Sequence, residues 1–171
     1  MDEEEDGIDL MGPDLYLNSV CDIDLDALSA RGVDTLLMDL DNTLLPRDSS
    51  VMPEEIVAWA AQLPEKGFRV CLVSNNWHAR VHEVAQDLGF QLVAKAVKPL
   101  PFAFWRALKL MGVGRKQCAI VGDQMFTDVL GGKLLGIQTI MVLPLSESDL
   151  PHTLILRRVE RVILGGRKPH G

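Results

Sequence analysis

Five short, nearly unbroken apolar runs stand out along the chain: VDTLLMD (33–39), FRVCLVS (68–74), QLVAKA (91–96), CAIVGD (118–123) and IQTIMVL (137–143). A strand with one wet face would alternate apolar and polar residues. Continuous Leu, Ile and Val instead predict strands covered on both faces. Helix-type segments lie between the runs. Pro53-Glu54-Glu55 opens one, with a proline and acids in its first turn, and Pro64 and Gly67 close it. Residues 77–88 and 101–111 form two more, each ending at a glycine, Gly89 and Gly112. MFTDVLGGKLLG (125–136) forms a fourth, with Gly131 and Gly132 working against its regularity. This alternation predicts right-handed crossovers and an α/β, doubly wound (Rossmann-like) parallel sheet of about five strands. The expected organisation is an acidic flexible tail over 1–20, one core over 21–150, and a basic amphipathic helix with a short tail over 151–171.

In such a sheet, ligands bind beyond the carboxyl ends of the strands. The residues there are Asp39 with Asp41, Ser74 with Asn75 and Asn76, Lys95 to Lys98, and Gly122 with Asp123. The polar groups best suited to chemistry thus converge on one edge. CDIDLDAL (21–28) repeats the Asp-x-Asp spacing of Asp39 and Asp41, but no apolar run feeds it into the sheet. Its acids are expected to start a helix or face solvent.

Asp39, Asp41, Asp123 and Asp128 in one pocket would repel one another, so a cation is expected among them. An all-oxygen donor set beside substrate phosphate suits Mg²⁺. Asp39 is placed to attack phosphorus, giving an aspartyl-phosphate. Asp41 is placed to protonate the leaving alkoxide and then activate water. Ser74 and Lys98 would hold the non-bridging oxygens.

Four motifs in order, each at a predicted strand end, resemble those of the haloacid dehalogenase (HAD) superfamily of phosphatases: DLDNT (39–43), VSNN (73–76), KAVKP (95–99) and GDQMFTD (122–128). The resemblance implies Asp39 as nucleophile and metal ligand, and Asp41 as general acid/base that also binds metal through its backbone carbonyl. It further implies Ser74 and Lys98 on phosphate, Asp123 on the metal, and Asp128 completing the acidic site. Asn75 joins the phosphate-binding candidates, Asn42 is expected to orient its loop, and Gly122 to give backbone clearance.

Many relatives insert a cap domain, but here the intervals Asp39–Ser74 and Ser74–Lys98 are each filled by one helix and one strand. An open site favours a large or membrane-bound phosphate, with LPRDSSVMP (45–53) the local candidate for a flap. DLDNTLL, SNN, KAVKP, GDQMFTDVLGG and TIMVLPL are closest to the YqeG-like branch of HAD subfamily IIIA, except that Lys133 stands where Asn is expected. That branch includes phosphatidylglycerophosphate phosphatases, which makes this lipid monoester the leading substrate. The alternatives are a phosphoprotein, nucleotide or sugar phosphate. A non-catalytic phospho-acceptor module is the alternative of another class, and it would have no use for Asp41.

Composition narrows the setting. The chain has 171 residues, 47% hydrophobic and 24% charged, enough for one globular core. Residues 1–34 hold eleven acids and one base, Arg31, a local balance of −10; the other 137 residues carry 13 acids and 16 bases. A mildly basic body accepts an anionic substrate, and no nucleic-acid-binding stripe is present. The acidic start lacks the positive charge of a targeting peptide. Cys21, Cys71 and Cys118 have no metal-ligand spacing and read as free thiols in a reducing, cytoplasmic setting. His78 and His82 lack a third ligand, and Trp59, Trp77 and Trp105 are expected in core or edge packing.

The last segment, residues 152–171, carries five Arg and Lys against Glu160. Ile155, Val159, Val162 and Ile163 share one helical face opposite Arg157 and Arg161. That face is expected to pack on the sheet with the arginines in solvent. The alternative is peripheral contact with an anionic membrane, although the segment has no aromatic anchor.

Overall fold

A computed structural model describes residues 12–147 and 151–170, with side chains of the last helix described from Arg157 onward. The strands are β1 (Leu15–Leu17), β2 (Thr35–Met38), β3 (Arg69–Val73), β4 (Gln91–Val93), β5 (Cys118–Gly122) and β6 (Gln138–Val142). The helices are α1 (Leu25–Ala30), α2 (Glu54–Gln62), α3 (Ala79–Leu88), α4 (Pro101–Met111), α5 (Leu130–Leu135) and α6 (Pro151–Leu164). All neighbouring strands pair in parallel, in the order β1-β6-β5-β2-β3-β4.

The unbroken apolar runs follow from two cores. Leu36 and Met38, Val70 and Leu72, and Ala119 and Val121 face one cluster, shared with α1, α2 and α3. Leu37, Cys71, Val73, Cys118 and Ile120 face the other, under α4 and α5. Alternate residues point to opposite faces, and both faces are dry. Burial pushes the free Cys71 and Cys118 thiols up to about 12, so both stay protonated at neutral pH. Gly131 and Gly132 prove to be packing requirements. A Cβ on Gly131 would lie 2.4 Å from the Phe104 ring, and one on Gly132 2.5 Å from Thr139. The two glycines let α5 lie close against α4 and the sheet.

Three sequence expectations need correcting. The sheet has a sixth strand, and it lies in the segment assigned to a flexible tail. Residues 12–20 are structured, and residues 1–11 fall outside the described chain. The Asp14 carboxylate holds β1 in place: it accepts from the Thr139 N–H at 2.7 Å and pairs with Lys133 at 2.5 Å. Lys133, the departure from the expected Asn, thus clamps the sheet edge. At the far end of the chain, the His170 N–H donates to the Tyr16 carbonyl at 2.7 Å.

The second correction is the face of α6. Val162 is 79% exposed and Val159 is also exposed, whereas Glu160 is 4% exposed and Leu164 is buried. Arg157, Glu160 and Leu164 form the inner stripe at helical spacing. Hydrogen bonds made by Arg157 and Glu160 outweigh the burial of two valines. Third, only Trp59 packs in the core; Trp77 and Trp105 are exposed.

The rival acidic cluster does the work of helix capping. Ser19 and Asp22 form a reciprocal capping box around the Val20–Asp22 turn, and Asp24 caps α1 by accepting from the Ala27 N–H at 2.9 Å. Asp26 pairs with Lys66 at 3.0 Å on the surface.

Candidate active site

The site assembles from four strand ends. Asp39 follows β2, with its N–H donating to the Val121 carbonyl of β5 at 2.9 Å. Ser74 follows β3, Lys98 lies in the loop between β4 and α4, and Asp123 follows β5. Asp128 arrives from one turn of π-helix, Met125–Val129, which joins β5 to α5 in place of a regular first turn. A Cβ on Gly122 would come within 2.1 Å of the Asp128 carboxylate, so the clearance expected of this glycine is what admits Asp128.

Lys98 is the hub. Its Nζ lies 3.1 Å from Asp39 and 2.6 Å from Asp128, with all three side chains buried or nearly so. Burial alone would lower its pKa; the Asp128 and Asp39 carboxylates outweigh burial and raise it, so the ammonium is permanent. Carboxylate oxygens of Asp39, Asp123 and Asp128 lie within 4.8 Å of one another, the one such cluster of potential metal ligands among the described residues. Burial raises the pKa of Asp123 well above the ordinary range, with the charges of Asp39 and Asp128 adding to it against Arg157. Burial likewise takes Asp128 up to about 6, despite Lys98. Three buried carboxylate oxygens close enough to share one cation fit a hard divalent metal.

Asp41 stands outside that cluster and is half-buried. Burial raises its pKa, the Asp39 charge raises it further, and Arg47, Asn76 and Arg80 pull it back. Ser74 is buried at the crevice floor, its Oγ accepting from the Asn76 N–H at 3.1 Å. Asn75, expected on phosphate, has its carboxamide on the Lys98 main chain: Oδ1 accepts from the Lys98 N–H at 2.7 Å. It positions the lysine. Asn42 adopts φ +60° and ties loops together, its Oδ1 accepting from the Arg47 N–H at 3.0 Å and the Ser146 hydroxyl at 2.7 Å. The flap candidate over 45–53 is tethered, because Arg80 donates to the Pro46 carbonyl at 3.2 Å and to that of Ser49.

Sequence reasoning missed three contributors. Arg157 reaches in from α6, donating to the Asp123 carbonyl and ion-pairing with its carboxylate. Glu160 accepts from the Met125 N–H at 2.8 Å, anchoring α6 to the π turn. The i, i+3, i+7 stripe of Arg157, Glu160 and Leu164 was the available signal, masked by the valines. Thr43, inside the DLDNT motif, places its hydroxyl 3.4 Å from Asp123. Beside Lys98 opens a cleft of about 500 Å³ lined by Asn75, Trp77, Lys95, Val97 and Lys98. The site thus combines a buried fixed cation, metal-type oxygens and a carboxylate at the rim, a combination suited to an anionic phosphate ester. Neither interval expected to lack a cap holds any element beyond one helix and one strand.

Two family models match the chain: haloacid dehalogenase-like hydrolase over residues 36–97 and HAD-hydrolase-like over 96–147. The chain is 38% identical to the probable phosphatase YqeG of Bacillus subtilis over 159 residues, covering 93% of this chain and 92% of that protein. It is 30% identical to the chloroplastic phosphatidylglycerophosphate phosphatase 1 of Chlamydomonas reinhardtii, over 86% of this chain and 59% of the algal protein. Among solved structures, the cobalt-bound deoxy-D-mannose-octulosonate 8-phosphate phosphatase of Haemophilus influenzae shares the fold with a TM-score of 0.52. It is 14% identical, over 79% of this chain and 89% of that one.

Proposed function

The chain belongs to the haloacid dehalogenase-like hydrolases, a phosphatase by that membership, and we propose that it is a Mg²⁺-dependent phosphomonoesterase that works through an aspartyl-phosphate on Asp39 and acts on phosphatidylglycerophosphate. The carrying observation is the Lys98 ammonium between Asp39 and Asp128, with Asp123 completing an oxygen cluster at the carboxyl edge of the sheet. Asp39, Asp123 and Asp128, with the Asp41 carbonyl, would hold the ion. Bound there, Mg²⁺ supplies charge stabilisation to the phosphoryl oxygens. The Haemophilus fold neighbour is a cobalt-bound phosphatase, which supports a metal-dependent reading.

An Asp39 oxygen attacks phosphorus while the bond to the leaving oxygen breaks, and Asp41 gives that oxygen its proton. Asp41, now ionised, takes a proton from water; the water oxygen attacks phosphorus, the bond to Asp39 breaks, and inorganic phosphate leaves. Ser74 and Lys98 hold the non-bridging oxygens, with Asn75 fixing the lysine main chain. The six-stranded α/β sheet, with α6 reaching Asp123, carries this machinery.

The lipid assignment draws on the similarity to the algal phosphatase and on the uncapped site with its apolar wall of Trp77 and Val97. Among the described residues no helix is long and apolar enough to cross a membrane. The test is phosphate release from a panel of monoesters, including phosphatidylglycerophosphate in detergent micelles, sugar phosphates, nucleotides and a phosphopeptide, with Mg²⁺ or a chelator. Preference for the lipid monoester, lost on chelation, is the expected result. Preference for a soluble ester would refute the lipid assignment, and turnover untouched by chelation would refute the metal.

A further inference from the structure

We propose that a basic, aromatic face beside the cleft, formed by Trp77, the 95–100 loop and the outer side of α4, docks on an anionic bilayer with the cleft mouth toward the headgroups. This rests on the lipid-monoester reading and adds the surface that would deliver such a substrate. Trp77 is 59% exposed, Phe102 62% and Trp105 51%, and Val97, Leu100 and Leu110 are exposed with them. Clusters of large apolar side chains left in water mark a surface that is covered in use. The aromatics are held in shape: Phe102 and Trp105 meet edge to face at 5.7 Å, and Lys95 lies 5.6 Å over the Trp77 ring.

Charge selects the occupant. Between Asp87 and Asp123 the chain has no acidic residue, yet it exposes Lys95, Arg106, Lys109, Arg115 and Lys116. The exposed side of α4 interleaves Phe102, Trp105 and Leu110 with Arg106 and Lys109. The neighbouring α5 adds exposed Leu134. Aromatic and aliphatic anchors among basic residues are the composition of helices that lie in the headgroup region of anionic membranes. Trp77, Lys95 and Val97 also line the cleft that Lys98 shares, so docking would set a headgroup phosphate at the catalytic edge. The outer side of α6 exposes Val159 and Val162 beside Arg158 and Arg161, but that helix carries no aromatic residue to anchor it.

The experiment measures co-sedimentation of the full chain with vesicles of phosphatidylcholine alone or with added phosphatidylglycerol, and tryptophan quenching by brominated acyl chains. Expected are binding to anionic vesicles only, weakened by salt, and quenching of tryptophan emission. The double variant Phe102→Ala/Trp105→Ala should lose roughly tenfold or more in vesicle affinity with unchanged hydrolysis of a soluble aryl phosphate. Arg106→Glu/Lys109→Glu should lose the preference for anionic vesicles. Unchanged vesicle affinity in the aromatic variant, or no quenching, overturns the proposal. So does a stable dimer that shields Trp105, since a second copy is then the occupant. Docking without hydrolysis of phosphatidylglycerophosphate in detergent micelles supports the surface and sinks the substrate reading. Hydrolysis in micelles without docking does the reverse.

Discussion

Arg157, on α6, is ion-paired with Asp123 at the end of β5, so the last described helix reaches into the acidic site. Asp123 is fully buried and the arginine side chain is 13% exposed. Removing one partner of such a pair leaves a buried charge without compensation, which costs about 3 kcal/mol. Arg157→Ala should therefore lower the Tm of the metal-free protein by several degrees. It also leaves the carboxylate cluster more negative, so Mg²⁺ should raise the Tm of the variant more than that of the wild type. Thermal unfolding with and without Mg²⁺ checks both; equal Mg²⁺ shifts would show that Arg157 and the ion do not share the site.

Asp41→Asn should slow turnover of an aryl phosphate by roughly 10²–10⁴-fold, the span of a lost general acid/base. The comparison of kcat in wild type and variant is the check. A rate within a few-fold of wild type would remove Asp41 from the chemistry and leave the site without a proton donor.

Asp24→Ala should destabilise the protein by about 1 kcal/mol through loss of the α1 cap. Neither it nor Asp22→Asn should change kcat, since both acids cap helical turns far in function from the crevice. Denaturant unfolding and steady-state rates separate the two effects. A fall in kcat for Asp22→Asn would mean that the first acidic cluster is no mere structural device.

The Asp14–Lys133 pair gives a pH-dependent contribution. Burial would raise the Asp14 pKa, but the bonds to Lys133 and Thr139 prevail and lower it below 3.8. A lowered folded pKa means stability present above the unfolded value and lost as pH falls through the folded one. Lys133→Ala should cost about 0.5 kcal/mol at neutral pH, as a partly exposed pair does. That difference should vanish once the pH falls well below 3.8. Unfolding midpoints across pH test this, and a difference independent of pH would assign the loss to packing.

The strand ends were legible because fully buried parallel strands write themselves as apolar runs, and the residue after each run is where ligands meet the sheet. Spacing alone separated Asp39 and Asp41 from Asp22 and Asp24 no better than chance; the apolar run ahead of Asp39 made the difference. β1 was illegible because three residues carry no periodicity, and its hold on β6 comes from Asp14, which looked like one more tail acid. The inward face of α6 was misread because apolar spacing predicts burial only when no buried charge competes, and Asp123 sits far away in sequence. Asn75 lay at the right edge, but a carboxamide serves main chain and phosphate equally well, and only the fold brings the Lys98 N–H to it.

The central claim is that Asp39 attacks phosphorus. Its most direct test is phosphate release from a generic aryl phosphate with Mg²⁺, by wild type and by Asp39→Asn. Steady release by the wild type and none by the variant, with both folded, is the predicted result. Release by Asp39→Asn at the wild-type rate, or no release by the wild type from aryl phosphate or lipid monoesters, would contradict it.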